Sequence, residues 1–413
     1  MTPVSADSSA SYAAEVARLL WPEPWEAPYV TRDRYRAGQA HRDAYLFPSV
    51  RRPRLLVPAD LPGSASMLQR LGGGRSALAG PVRRMLERSV RSGAFAHARW
   101  PMLRVPATES GADSIERHLG DCFGTEVRVG VLLGTRRVNQ KPVLQVFDRA
   151  GDLLGYAKVG HNELTADLVK REAASLATVA RQAPTTFRAP AVLHHGRWSG
   201  LEVLVISPLV TTPRREVSTS VRRAAMREVA AMAGTASRPL AESVFWGRIR
   251  AAAELLTDQP DGARLHSALT DLEAVHGGEL VDLGGWHGDW GRWNMGMGEG
   301  GLMVWDWERY DSRVPLGFDG LHFLAQSVRP GQRDQERQEE TFLRSAPYEL
   351  AELGVDPARH ELTLRLYLLE IGIRYAEALT HSQTPALVRR TAWVLSLLTR
   401  LSPSPATGPT EGR

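Results

Sequence analysis

Cysteine is nearly missing from this chain of 413 residues; Cys122 is the only one. A single thiol excludes an internal disulfide framework and any zinc cluster built from cysteines, and the bland expectation for it is a buried, inert side chain. Long apolar runs are missing too. No stretch approaches the roughly 18–20 apolar residues that a membrane helix needs, and the start MTPVSADSSASYAAEVARLL lacks the charged-then-apolar layout of a secretory signal. The expectation is a cytoplasmic protein with no membrane partner.

Lysine and asparagine are also scarce. Lys141, Lys158 and Lys170 are the only lysines among 51 Lys plus Arg, and Asn139, Asn162 and Asn294 are the only asparagines. A chain that uses arginine almost wherever a cation will do points, by its few lysines and asparagines, to places where the chemistry of those side chains is required. The net charge of +5 is modest for this length and predicts no nucleic-acid partner. Its distribution is uneven: eleven arginines stand between Arg51 and Arg104 against two acids, Asp60 and Glu87. That excess reads as a solvated basic surface on an accessory domain, with a face for an anionic partner or substrate as the alternative.

What is present is a soluble composition, 43% apolar and 23% charged, on a chain too long for one ordinary core. Residues 1–105 read as an N-terminal extension. They carry a short amphipathic helix over Tyr12 to Leu20, the stretch WPEPWEAPYV, a Gly72-Gly73-Gly74 joint with no Lys-Ser/Thr after it, and a basic helix over Gly80 to Ser92. The pattern changes near residue 110. A helix over Ala112 to Cys122 starts at the capping residues Asp113 and Ser114. Three β-rich runs follow, VRVGVLLG (127–134), PVLQVFD (142–148) and LLGYAKVG (153–160), then a helix from Glu163 to Arg181 and two more strands, APAVLHH (189–195) and LEVLVIS (201–207). Residues 106–208 are therefore an α+β segment. Residues 209–401 show helical periodicity, with GLMVWDWE (301–308) as the only clear strand signal, and the Pro/Ser/Gly-rich tail 402–413 reads as disordered.

The segment that carries chemistry is Trp286-His287-Gly288-Asp289-Trp290-Gly291-Arg292-Trp293-Asn294, followed by Val304-Trp305-Asp306-Trp307-Glu308. A carboxylate can orient an attacking hydroxyl and take its proton, and Asn with a second Asp supplies hard oxygen ligands for magnesium. Five residues separate Asp289 from Asn294, which lets both ends of one loop turn to the same place, and the apolar run Leu302-Met303-Val304 delivers Asp306 at its exit.

HGDWGRWN followed by DWE resembles the HGDxxxxN and D-W-E motifs of the aminoglycoside phosphotransferase and choline kinase-like superfamily. The resemblance implies a two-lobed protein kinase-like fold: a small antiparallel β lobe with one helix after its third strand, and a mainly helical large lobe. It implies Asp289 as catalytic base, His287 as support for the loop, and Asn294 and Asp306 as magnesium ligands. Asp319 in PLGFDGLHFL matches the Asp that follows DWE in that superfamily, and is expected to cap the next helix.

The same resemblance organises the upstream residues. Lys158, in the third strand, stands where such enzymes contact the α- and β-phosphates of ATP, with Glu172 as its partner acid and Glu163 as runner-up. A compact ammonium is a point charge that arginine's fork does not replace. The nucleotide-covering loop is expected over 134–141, with Gly134 and Thr135 toward the phosphates, and Ser207 and Leu209 lie where an interlobe hinge pairs with adenine. That loop has one glycine, not three, which with HGD and DWE disfavours a protein kinase. The implied activity is ATP- and Mg-dependent transfer of a phosphate to a hydroxyl of a small acceptor: an amino sugar, an aminoglycoside or a choline-like alcohol. Glu308, Glu370 and Glu377 are available to a cationic acceptor. The alternative from another class is a catalytically silent nucleotide-binding regulator, whose mark would be a lost base or metal ligand.

Overall fold

The three apolar runs after residue 126 form the middle of a nine-stranded antiparallel sheet. The computed structural model describes residues 9–33, 40–70, 79–109, 111–134, 140–212 and 215–401. Thr135, most of the expected nucleotide-covering loop, the triple glycine and the tail 402–413 lie outside them. The chain divides into two units: 1–177 with 190–209, and 178–189 with 210–413. The architecture is mixed α+β.

In the first unit the elements run α1 (Ser9–Leu20), β1 (Tyr29–Thr31), β2 (His41–Phe47), β3 (Leu55–Pro58), α2 (Ala79–Arg91), α3 (Ala94–His97), β4 (Met102–Pro106), α4 (Ile115–Phe123), β5 (Val127–Leu132), β6 (Val143–Asp148), β7 (Leu153–Gly160) and α5 (Glu163–Gln182). After β8 (Phe187–Arg188), which belongs to the second unit, the unit closes with β9 (Val192–Trp198) and β10 (Leu201–Ile206). The spatial order is β1-β4-β2-β3-β5-β6-β7-β10-β9. β5, β7 and β10 bury most of their residues on both faces, as central strands must. Ser114 caps α4 by accepting the Arg117 N–H.

Residues 29–106 therefore do not stand apart as an extension. β3 pairs with β5 through Leu55↔Leu132 and Leu56↔Val131, which fuses the first four strands to the later five. The apolar run Leu55 to Val57 is β3; β1 and β4 are only three and five residues long, and β2, HRDAYLF, opens on polar residues, so neither alternation nor a long apolar run marks them. The basic excess is only partly a solvated surface: Arg104 is buried and held by Asp43 at 2.6–2.7 Å. Cys122 is exposed, not buried: it lies in the last turn of α4, just before the helix ends at Gly124.

The second unit contains α6 (Thr219–Ala231), β11 (Ala236–Pro239), α7 (Val244–Glu254), α8 (Pro260–His276), β12 (Leu280–Trp286), β13 (Met295–Gly298), β14 (Gly301–Val304), β15 (Asp311–Pro315), α9 (Phe318–Ala325), α10 (Gln335–Glu352), α11 (His360–His381) and α12 (Pro385–Leu401). α11 is buried almost all round from Leu362 to Ile373 and is the axis on which the apolar residues of α7, α8, α9, α10 and α12 meet. Where one strand was read, two three-stranded sheets exist, β11-β12-β15 and β13-β14-β8. Sequences such as MGMG and an exposed ASRP carry no strand periodicity; their pairing is imposed by neighbours. Among the described residues no helix is long and apolar enough to cross a membrane.

Candidate active site

β12 ends at Trp286, and the chain enters the loop 287–294 at its exit. Two features fix the turn. Gly288 has φ +82°, and a Cβ there would sit 2.3 Å from the Arg309 carbonyl oxygen, so only glycine fits. The carboxylate of Asp319 accepts the backbone N–H of His287 at 2.7 Å and of Gly288 at 3.2 Å. This corrects the capping role expected for Asp319: α9 begins on Gly317, without a side-chain cap, and the Asp319 carboxylate is turned onto the loop. Burial pushes its carboxyl up to about 7, against the pull of those two amides and of Arg374.

His287 is fully buried, and burial depresses it to about 4, so it is neutral. Its tautomer follows from its partners. Nδ1 accepts the Asp289 N–H at 3.3 Å, so the proton is on Nε2, which donates to the Trp305 carbonyl at 3.1 Å. Trp307 and Trp290 wall the ring at 4.8 and 5.6 Å. His287 therefore ties the Asp289 backbone to the Trp305 carbonyl.

Asp289 and Asn294 meet across the loop: Asn294 Nδ2 donates to the Asp289 main-chain oxygen and to its Oδ2, each at 2.9 Å. With both amide protons committed, Oδ1 is the atom Asn294 can offer a cation. The following hairpin pairs Met295↔Val304, and the Trp305 N–H donates to the Asn294 carbonyl at 3.1 Å, which sets Asp306 next to Asn294. Asp306 holds a left-handed backbone, φ 73°, unusual for a residue with a side chain. Its charge presses on Asp289. Burial, the largest influence, also works to raise Asp289, yet the hydrogen bond from His322 and the two neighbouring imidazoles, His322 and His287, hold the carboxyl below its ordinary range.

Two residues were not anticipated. His322, one turn beyond Asp319 on α9, places Nε2 3.3 Å from Asp289 Oδ1 and 2.8 Å from the Gln326 amide, while its Nδ1 meets the Tyr367 hydroxyl at 3.1 Å. The spacing Asp319 to His322 in FDGLHF, which puts both on one helical face, was the available signal. Arg374, on α11, donates to the Gly288 carbonyl at 2.7 Å and lies over the Trp286 ring. Nothing local in an arginine-rich chain marks it. Glu370 is buried between Arg248 at 2.9 Å and Arg374 at 3.2 Å, so it is a structural counterion and not a bare acid for an acceptor.

In the first unit, Lys158 stands in the middle of the sheet, opposite Val143 on β6 and Leu204 on β10. Its Nζ lies 2.5 and 2.6 Å from the two Glu172 oxygens, both side chains being buried. The helix that brings Glu172 there starts on Asn162, whose Oδ1 accepts the Thr165 N–H at 2.9 Å while Thr165 Oγ1 accepts the Asn162 N–H at 3.1 Å. Gly134 has φ +62° at the end of the described part of its loop. Ser207 is tied to the residue before β9: it donates its N–H to the Ala191 carbonyl and accepts the Ala191 N–H on Oγ, each at 2.9 Å. Leu209 ends the first unit.

No family model matches the chain, and no curated protein matches it. Solved structures similar to it include a fructosamine-3-kinase, so described, from Haemophilus somnus 129PT, 13% identical over 70% of this chain and 96% of that one with a TM-score of 0.45. A thermostable mutant of aminoglycoside phosphotransferase APH(4)-Ia is 19% identical over 69% and 97%, also at 0.45. Spectinomycin phosphotransferase APH(9)-Ia, solved with ADP and spectinomycin, is 12% identical over 70% and 97%, at 0.43. At these scores the functional reading rests on the side-chain geometry.

Proposed function

We propose that the chain is a phosphotransferase that moves the γ-phosphate of ATP, with magnesium, to a hydroxyl of a small molecule such as an amino sugar, an aminoglycoside or a choline-like alcohol. The observation that carries the reading is the double hydrogen bond from Asn294 to Asp289, with Asp306 delivered beside it by the β13–β14 hairpin. The donor set is oxygen only, Asn294 Oδ1 and the Asp306 carboxylate, which fits a hard dication. Bound there, magnesium would neutralise charge on the transferring phosphate.

The residues of the chain do the positioning. Asp289, held below its ordinary range, is ionised throughout the neutral region and accepts a hydrogen bond from the acceptor hydroxyl. So weak a base takes the proton late: the hydroxyl oxygen bonds to the γ-phosphorus, the bond from phosphorus to the β,γ-bridging oxygen breaks, ADP departs, and the proton passes to the Asp289 carboxylate. His287, Asp319 and Arg374 keep the loop from relaxing away. Lys158, aligned by Glu172, takes the α- and β-phosphates as a point charge.

An ATP-consumption screen against amino sugars, aminoglycosides, choline-like alcohols and plain sugars, with mass analysis of the product, tests the reading. The expected result is an acceptor-dependent, magnesium-dependent gain of one phosphate. Tight ATP binding with no phosphorylated product from any class would leave a silent regulator as the better account.

A further inference from the structure

Well away in sequence from the loop 287–308, the first unit brings together the single cysteine and two histidines. His118 and Cys122 are one turn apart on α4 and so share a face of that helix. β9 is the edge strand of the sheet, and its side chains alternate: His195 pairs with Glu202 at 2.8 Å, while His194 meets His118, ring centroids 5.3 Å apart. One ligand-capable atom each from His118, Cys122 and His194 lies within 4.8 Å of the others.

Two further facts separate this from an ordinary packing cluster. The Nε2 atoms of His118 and His194 are both shut off from solvent, and neither has a hydrogen-bond partner. Buried polar nitrogens are almost always satisfied, so two facing rings that each leave one without a partner, beside a thiol, are not ordinary packing. The rings are also held in place. Trp198 stacks on His118 at 5.9 Å with an interplanar angle of 19°, and its indole N–H is anchored on Asp113 at 3.1 Å. At Gly196 a Cβ would come 3.2 Å from His194 Nε2, so the missing side chain leaves that ring its place against the strand.

We infer that His118, Cys122 and His194 form a mononuclear site for a borderline transition-metal dication of the zinc class, tying α4 to the edge strand β9. Two imidazoles and a thiolate suit zinc or cobalt and do not suit magnesium or calcium, which take oxygen. Metal bonds of about 2.0–2.3 Å place tetrahedral ligands roughly 3.5 Å apart, so the ligand atoms, now within 4.8 Å of one another, draw in by about 1 Å when the ion binds. The fourth position is left to water. A cluster built from several cysteines is excluded by composition, but this arrangement needs only one. The inference is independent of the phosphotransferase reading.

Because the chain has one thiol, its chemistry reports on this site alone. The full-length protein is reduced, stripped with a chelator, and its Cys122 titrated with an aromatic disulfide reagent, with and without one equivalent of Zn²⁺ or of Mg²⁺. Zn²⁺ should slow the reaction at least tenfold and Mg²⁺ should not. One equivalent of Co²⁺ should give a thiolate-to-cobalt charge-transfer band that Cys122→Ser removes. His118→Gln and His194→Asn should each abolish zinc protection, with melting curves confirming that they fold. An equal rate with and without Zn²⁺ in the unaltered protein would overturn the inference, as would protection that survives in the folded double-histidine variant.

Discussion

The carboxylate of Asp319 accepts the backbone N–H of His287 at 2.7 Å and reaches Gly288 with its other oxygen, so the base of α9 sets the entry to the loop that carries Asp289. Burial holds that carboxyl at about 7. Above that pH it is ionised and both oxygens accept. Below it one oxygen carries a proton and is lost as an acceptor, so the loop loosens as pH falls through about 7. The pH profile of kcat is therefore expected to show an ascending limb with its midpoint near 7. Asp319→Asn should remove that limb and lower kcat about 10²-fold, the scale of a misplacement of roughly 1 Å. A limb that persists unchanged in a folded Asp319→Asn variant assigns it to another group.

Asp289→Asn removes the acceptor of the hydroxyl proton while keeping nearly the same volume and an oxygen for the Asn294 amide. Turnover should fall about 10²–10⁴-fold, the usual worth of a positioned acid–base group. The dissociation constant for ATP, measured by calorimetry, should stay within a few-fold of the starting protein. Full phosphorylation of an identified acceptor by this variant would remove Asp289 from the proposed mechanism.

The α+β class and α4, α5, β5, β6, β7 and β10 were legible because those strands are continuous apolar runs separated by turn chemistry, and local pattern suffices for such strands; β8 was not read, and β9 lies three residues later than its run suggested. The loop was legible because its polar residues are close in sequence: Asp289, Asn294 and Asp306 are joined by one turn and one hairpin. Scarcity helped as well, since Lys158 is in a buried ion pair and Asn162 and Asn294 each direct a side-chain hydrogen bond that fixes the local backbone. What failed was non-local. β2 to β4 join the sheet through partners far along the chain, and Arg374 reaches Gly288 across 86 residues. The role of Asp319 was misread because a carboxylate near a helix start is ordinarily a cap; that this one turns back to an earlier loop is decided by tertiary packing alone.

Gly288→Ala tests how tightly the turn is specified. The substitution meets both a left-handed backbone and a Cβ contact of 2.3 Å with a main-chain oxygen, which cannot rotate away as a side chain would. Each effect costs about 1–3 kcal/mol. A loss of about 2–5 kcal/mol in unfolding free energy is expected, read as a fall in the urea midpoint of the variant at unchanged slope. A loss under about 1 kcal/mol would mean that the loop 287–294 shifts freely to make room, and would weaken the view that it is a rigid platform.

The buried Lys158–Glu172 pair separates stability from function in a way that a single variant cannot. Removing one partner leaves an uncompensated buried charge, so Glu172→Gln and Lys158→Met should each cost about 3–5 kcal/mol. Replacing both together, Lys158→Met with Glu172→Leu, removes the stranded charge and keeps the volume, and should recover most of that loss. A merely structural pair would regain turnover along with stability. A lysine that takes the phosphates of ATP would not: the double variant should fold as well as the starting protein and still bind ATP at least tenfold more weakly, because no apolar side chain supplies the point charge. Recovery of both stability and ATP affinity in the double variant would reduce Lys158 to a fold determinant.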